Sequence, residues 1–500
     1  MLLNGDEIKN LKVKIELIAA IERLGVDYHF EKEIEGLLKG IYDHSLIDAD
    51  DLYLVFLQFR LLRQHGYNIT SDVFDKFRDD ERKFKGDLVN DVKGLLSLYE
   101  ACYLATHEDG LIMDEALSFT KHHLQALSME GSLDGALKAL VLHALETPLH
   151  RRTQRVEARH YIGLYEHDKE QRNDLLLELA KLDFHLLQLL HYEEAKILTL
   201  WWEALGLAEK FSTFTRNRII ECYFWILCVY SEPHYSRARI MAAKVIALLS
   251  ISDDFYDVYG TLEELQGLTD VIQRWDVEAA NRLNDYMRIT LNVWNDTFNE
   301  FEEELSSDQK SYRVNYIKEM LKVISRAWLQ ETKWRDEEYI PPLKEHLEVS
   351  GVTTCYNIVS CASYLGMDDV ATKEVFDWML TFPKYVHHAC MICRIVDDIR
   401  SHEFEQKRNH FASTVQSYMK EHEVSVDQAC NALFKIVDDE WKSLNQEFLN
   451  SISKYPRAIL NKVVNYVRFL DTIYQRHDRY THASLIKNCI SMLLFDPIQL

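Results

Sequence analysis

Two acidic stretches stand out by residue type and spacing. Asp253-Asp254-Phe255-Tyr256-Asp257 sets Asp253 and Asp257 four residues apart. Asp397-Asp398-Ile399-Arg400-Ser401-His402-Glu403-Phe404-Glu405 spaces Asp397, Ser401 and Glu405 by four and four. On an α-helix, residues four apart share a face and rise by about 6 Å. Oxygen ligands repeated along one face attract hard divalent cations such as Mg2+. Two such ladders facing one cleft would hold a metal cluster, and that chemistry suits a diphosphate substrate. Arg216 and Arg218 precede the first stretch, and Arg394 lies one turn before Asp397. Guanidinium groups match phosphate oxygens in shape and charge. A single D-D-x-x-D on a helix is commonly just a solvated surface. It gains meaning here from its company: the Arg-x-Arg before it and the Asp-x-x-x-Ser-x-x-x-Glu ladder after it.

The elements between these residues say whether they meet. Residues 216–230 read as a helix capped by Thr215 or Ser212, followed by a tight turn, Ser231-Glu232-Pro233-His234-Tyr235. A second helix is expected over 236–258, stopping at Gly260 as a C′ residue. Thr261-Leu262-Glu263-Glu264 then opens another helix with a capping box. Two antiparallel helices on a short turn bring the start of the first and the end of the second to one end of the bundle. Arg216 and Arg218 therefore share an end with Asp253 and Asp257. Carboxylates at a helix C-terminus oppose its dipole by a few tenths to about 1 kcal/mol each, a penalty that a bound cation reverses. The helix after Pro383 likewise reaches Arg394 and Asp397 only after several turns.

Composition supports a helical frame. Among 500 residues there are 16 Gly and 7 Pro, and apolar positions recur at three and four almost throughout. So few breakers in a chain too long for one core indicate an all-α protein of two domains. Leu175, Leu179, Leu182, Leu186 and Leu190 form one clear stripe. The uninterrupted polar run from His167 to Asp174 marks the boundary, giving domains 1–173 and 174–500, with Asn173 or Asp174 as the next cap. Tyr339-Ile340-Pro341-Pro342 ends a helix inside the second domain. A helix break is also expected around Gly351 to Asn357. A net charge of -23 excludes a general nucleic-acid binder. Nine scattered Cys suit a reducing compartment, and the lone Cys390/Cys393 pair reads as small core residues rather than a zinc site. The amphipathic amino terminus is unlike a signal peptide and no stretch is apolar enough to span a membrane. The expectation is a cytoplasmic monomer with a small-molecule substrate.

At this level of detail the chain resembles the plant-type class I terpene synthases, specifically the sesquiterpene synthases. The resemblance rests on LLRQHGY (61–67), the Arg216-Asn217-Arg218 pair, ECYFW (221–225), DDFYDVYGTLEEL (253–265), IQRWD (272–276), DDIRSHEFEQKR (397–408) and DRYTH (478–482). It implies a non-catalytic amino-terminal helical domain, α-barrel-like, and a carboxy-terminal class I terpenoid synthase bundle. It also implies three Mg2+ ions, with Mn2+ as a substitute, and a linear isoprenoid diphosphate substrate. Carried over, Asp253 and Asp257 are ligands of the first metal motif, with Asp254 behind them. Asp397, Ser401 and Glu405 are ligands of the second. Arg216, Arg218 and Arg394 bind diphosphate, Trp225 lies on the cavity wall, and Tyr474, Asp478 and Tyr480 match a polar-aromatic group near a closing loop. The family usually carries a longer amino-terminal segment over the active-site mouth. Asp48-Ala49-Asp50-Asp51 spells the acid motif of protonation-initiated cyclases. Capping of the helix that follows explains it better, because that chemistry needs a further domain.

The implied reaction ionises farnesyl diphosphate and cyclises the allylic cation to a C15 hydrocarbon or alcohol. A monoterpene synthase acting on geranyl diphosphate is the alternative of the same chemistry. A chain elongase would want a second D-D-x-x-D, where position 401 is Ser. A non-catalytic helical homologue is the alternative outside enzymology.

Overall fold

The computed structural model describes residues 5–43, 51–130, 133, 135–168, 172–211, 217–406, 412–474, 479 and 483–499, with the side chains of 5–10, 208, 209, 404, 405 and 483 outside that set. These residues are helical almost throughout, as the scarcity of Gly and Pro requires. Among them, β-type pairing is confined to one isolated bridge, Arg78 to Phe84. By its contacts the chain forms two compact units. The first comprises 1–188, 442–457 and 496–500, and the second 189–441 and 458–495.

In the first unit the helix Leu52–Gln64 begins at Asp51, whose carboxylate accepts from the Leu54 amide at 3.0 Å. The last residue of the D-x-D-D sequence is thus an N-cap, as expected, while Asp48 and Asp50 lie outside the described residues. This helix packs on Val92–Cys102, with Ser97 Oγ donating to the Tyr53 carbonyl at 3.0 Å. The unit also buries charge. Glu157, on the helix Gln154–His167, meets Arg23 at 2.7 Å, Arg152 at 2.9 Å and His143 at 3.0 Å. Burial alone would raise this carboxyl. The Arg152 and Arg23 guanidiniums, with His143, outweigh it and hold the group well below the usual carboxylate range.

Asn173 caps the helix Asp174–Leu205, accepting from the Leu176 amide at 3.1 Å. The leucine stripe of that helix turns outward instead of into the core. Leu175, Leu182 and Leu186 are 78%, 44% and 66% exposed, whereas Leu176, Leu177, Ala180, Phe184 and Leu187 are buried. The helix is apolar on more than one face, so periodicity alone did not choose between them. Buried Lys181 and Asp183 show which face packs. Lys181 pairs with Glu166 at 2.7 Å, and Asp183 accepts from Tyr28 Oη and pairs with His29.

In the second unit Ile219–Val229 and Ser236–Asp254 pack as neighbours joined by the 3₁₀ turn Pro233–Tyr235. The Pro341-Pro342 break separates Arg313–Asp336 from Leu343–Thr353. A second break follows at Cys355, which takes a left-handed φ of 63° before Tyr356–Ala362. Gly351 belongs to the helix before that break. Leu343–Thr353 packs on Lys384–Gln406, and the Met391 methyl fills the space beside Gly351, 2.1 Å from where a Cβ would stand.

Candidate metal and diphosphate site

The first acidic motif sits where an α-helix changes its winding. Ser236–Asp254 is α-helical, and Phe255–Tyr259 is a π turn closed by the Gly260 amide on the Phe255 carbonyl at 2.8 Å. The expected continuous helix over 236–258 is corrected accordingly. In the wider π turn, four residues come closer to one full revolution, which brings Asp257 further over Asp253. Gly260 is not a left-handed C′ residue either. Its φ is −85°, and its lack of a side chain matters because a Cβ would lie 2.6 Å from Leu265 and 2.9 Å from the Phe255 carbonyl oxygen. The Thr261–Glu264 capping box opens Leu262–Arg274 as expected.

Arg218 is the N-cap residue of Ile219–Val229, and the Ile219 amide reaches the Asn217 side chain at 3.4 Å. Asn217 thus lies where a cap from Thr215 or Ser212 was expected; those two residues and Arg216 lie outside the described residues. On the other side, Lys384–Gln406 carries Arg394, Asp397, Asp398 and Ser401 in successive turns. Arg394 pairs with Asp397 through Nη2 and with Asp398 through Nε at 3.1 Å. Ser401 Oγ donates to the Asp397 carbonyl at 3.0 Å, which leaves its lone pairs as acceptors. Glu405 is in this helix, but its side chain lies outside the described residues, as do Asp478 and Tyr480.

The two motifs act on each other electrostatically. Asp253 is exposed to solvent yet crowded by neighbouring protein. This desolvation, with the charges of Asp257, Asp254 and Glu331, pushes its carboxyl well above the usual range against the opposing pull of Arg394. Glu331, from Arg313–Asp336, is raised by burial despite Arg394 and His346, and accepts from Thr353 Oγ1 at 3.0 Å. Asp398 goes the other way: Arg394, His346 and the Thr414 amide at 2.5 Å overcome burial and lower it. Arg394 thus pairs directly with Asp397 and Asp398 and acts by its charge on Asp253 and Glu331, while Asp257 acts on those same two carboxyls. Among the described residues no three His, Cys, Asp or Glu are gathered as a ready-made cage for one ion. Carboxylate and hydroxyl oxygens spaced along helix faces are nevertheless a donor set for a hard divalent cation, and the residues present fit Mg2+.

Trp225 is half-buried, with its ring 5.1 Å from Phe469 and 6.3 Å from Tyr356. Tyr474 is buried just beyond the end of Arg457–Ile473. Tyr356 falls in the helix break expected around Gly351 to Asn357, whereas Glu331 and Phe469 were not singled out from the sequence. For Glu331 a signal existed: it follows Ile324 and Trp328 at helical spacing, and a carboxylate on an apolar stripe is unusual.

Known proteins resemble this chain in sequence and fold. Residues 1–145 match the family described as "Terpene synthase, N-terminal domain", and residues 203–443 match "Terpene synthase family, metal binding domain". The chain is 47% identical over 481 residues to alpha-humulene synthase of Zingiber zerumbet, covering 96% of this chain and 86% of that one. It is 44% identical over 487 residues to (-)-germacrene D synthase of Vitis vinifera, covering 97% and 86%. Isoprene synthase from grey poplar (Populus x canescens), solved in complex with three Mg2+ ions and dimethylallyl-S-thiolodiphosphate, superposes with a TM-score of 0.89 at 33% identity, covering 97% and 92%. A limonene synthase solved with 2-fluorolinalyl diphosphate gives a TM-score of 0.92 at 31% identity, covering 98% and 91%. The all-α, two-domain class I terpenoid synthase architecture expected from the sequence is the one these structures share with it. Matching both family domains and these near-full-length relatives, the chain belongs to the terpene synthase family.

Proposed function

We propose that this protein is a Mg2+-dependent sesquiterpene synthase that ionises farnesyl diphosphate, cyclises the allylic cation to a C15 product, and releases diphosphate. One observation supports the chemistry: Arg394, paired with Asp397 and Asp398 of the second motif, also acts by its charge on Asp253 of the first. The C15 chain length is supported by the likeness to plant sesquiterpene synthases.

Asp253 and Asp257 would hold metal on one side of the cleft, and Asp397, Ser401 and Glu405 on the other, for a total of three Mg2+ with Mn2+ as substitute. Bound Mg2+ supplies Lewis-acid stabilisation of the charge on the departing diphosphate. Arg216, Arg218 and Arg394 bind and orient the diphosphate oxygens, so the C–O bond breaks with its electron pair received in a preorganised field. The hydrocarbon tail folds against Trp225, with Phe469 and Tyr356 behind it. Each aromatic face in contact with the cation stabilises it by about 2 kcal/mol when dry. Tyr474, Asp478 and Tyr480 belong to the group that closes over the substrate and excludes water. The catalytic part is 174–500, and 1–173 is non-catalytic. Among the described residues no helix is long and apolar enough to cross a membrane, and we place the enzyme in the cytoplasm as a monomer.

Incubation with farnesyl diphosphate and Mg2+, followed by hydrocarbon analysis and a diphosphate-release assay, tests the proposal. C15 products are expected. Longer diphosphates would mean an elongase, products only from the C10 diphosphate a monoterpene synthase, and no diphosphate release a non-catalytic homologue.

A further inference from the structure

Arg335 lies on Arg313–Asp336, outside both acidic motifs, yet its guanidinium grips the π turn of the first. Nη1 donates to the carbonyls of Tyr256 at 2.8 Å and Asp257 at 2.6 Å, and Nη2 donates to the carbonyl of Gly260 at 3.1 Å. Thr332, one turn earlier, adds a hydroxyl to the Tyr256 carbonyl at 3.2 Å. The Tyr256 side chain is also fixed, by Thr269 Oγ1 at 2.9 Å and by stacking on Trp328 with centroids 5.3 Å apart. A helix end leaves its last carbonyls without partners, and they carry the negative end of the dipole. Here that end also bears the carboxylates of Asp253 and Asp257. One planar cation with several donors answers both needs: it satisfies three carbonyls and places positive charge behind the motif.

We propose that Arg335 is a positioning residue for the first metal motif: it holds the π turn that sets Asp257 relative to Asp253, and so sets the affinity of that side of the cleft for Mg2+. The Asp257 backbone is pinned by this contact while its side chain remains exposed. The proposal rests on the reading of Asp253 and Asp257 as metal ligands.

The experiment compares wild type with Arg335→Ala, Arg335→Lys and Asp257→Asn. It measures the Mg2+ concentration for half-maximal diphosphate release, turnover at saturating Mg2+, and thermal stability. Arg335→Ala should raise the half-saturating Mg2+ by about tenfold or more, the range seen when partners behind a metal ligand are removed. Excess Mg2+ or millimolar guanidinium should restore turnover, and Arg335→Lys should fall between the two. If Asp257→Asn responds to Mg2+ as wild type does, the ligand reading fails and the proposal goes with it. If Asp257→Asn is impaired but Arg335→Ala keeps the wild-type Mg2+ response, the proposal alone is overturned. It is equally overturned if Arg335→Ala loses turnover that neither Mg2+ nor guanidinium restores.

Discussion

Glu157→Gln offers a direct test of whether the first unit is scaffold or catalyst. Glu157 is almost fully buried, and its two oxygens are divided between Arg23 on one side and Arg152 with His143 on the other. Glutamine preserves the shape and one acceptor but presents an NH2 to the second set of donors, leaving a buried guanidinium without its carboxylate. Removing one member of such a buried pair costs about 3–5 kcal/mol, and the retained acceptor argues for the lower end. In a unit of this size, about 3 kcal/mol lowers Tm by roughly 10 °C. The pH dependence has a definite sign. A carboxyl held down in the folded protein contributes stability above its unfolded value of about 4.3, and that contribution is lost as pH falls towards the folded value. The gap between wild type and variant should therefore be flat through neutral pH and narrow below about pH 4.3. Calorimetry or urea melts over a pH series supply the stability, and turnover at room temperature, where both proteins are folded, supplies the activity. A gap below about 0.5 kcal/mol, or one that does not shrink in acid, would refute the electrostatic account. A fall in turnover with the fold intact would refute the reading of 1–173 as non-catalytic.

Two other substitutions probe the second unit. Asp253→Asn removes a carboxylate whose ionisation is opposed by the crowding protein around it and by Asp257, Asp254 and Glu331. Mg2+-free protein at neutral pH should become more thermostable, while Mg2+-dependent turnover and Mg2+-induced stabilisation are both lost; a variant with full activity would sink the metal assignment. Gly260→Ala places a methyl against Leu265 and the Phe255 carbonyl, an overpacking that should cost about 2 kcal/mol. Its half-saturating Mg2+ should rise as Arg335→Ala's does, measurable in the same titration, and an unchanged titration would show that the π turn does not govern the motif.

Much of the site was legible in the sequence because helices make spacing into geometry. Three- and four-residue intervals placed Arg394, Asp397 and Ser401 along one helix, and a short turn after Val229 was enough to pack Ile219–Val229 on Ser236–Asp254. What spacing cannot encode is a change of helical winding or the rotation of a helix that is apolar all round. The π turn at Phe255–Tyr259 takes hydrogen bonds from Arg335, 75 residues beyond Gly260 and on another helix. The leucine stripe of Asp174–Leu205 faces outward because buried Lys181 and Asp183 find partners on the other side. The stripe of Ile324 and Trp328 marks Glu331 as unusual, but its partners are assembled only by tertiary packing.

The π turn also has a consequence for how this region tolerates changes in length. A π turn uses one residue more than an α turn, so it amounts to a single-residue insertion absorbed within a helix. Deleting one residue between Phe255 and Tyr259 would let the segment relax to ordinary α winding without breaking the chain or its helical content. Side chains beyond the turn would keep their orientation, but a deletion ahead of Asp257 would leave its carboxylate three residues after Asp253, about 60° off it around the α-helix. In libraries built by recombination or by random insertion and deletion, this stretch should accept point changes far better than changes of length. The number of residues there, more than their identity, carries the alignment of the first motif with the cleft.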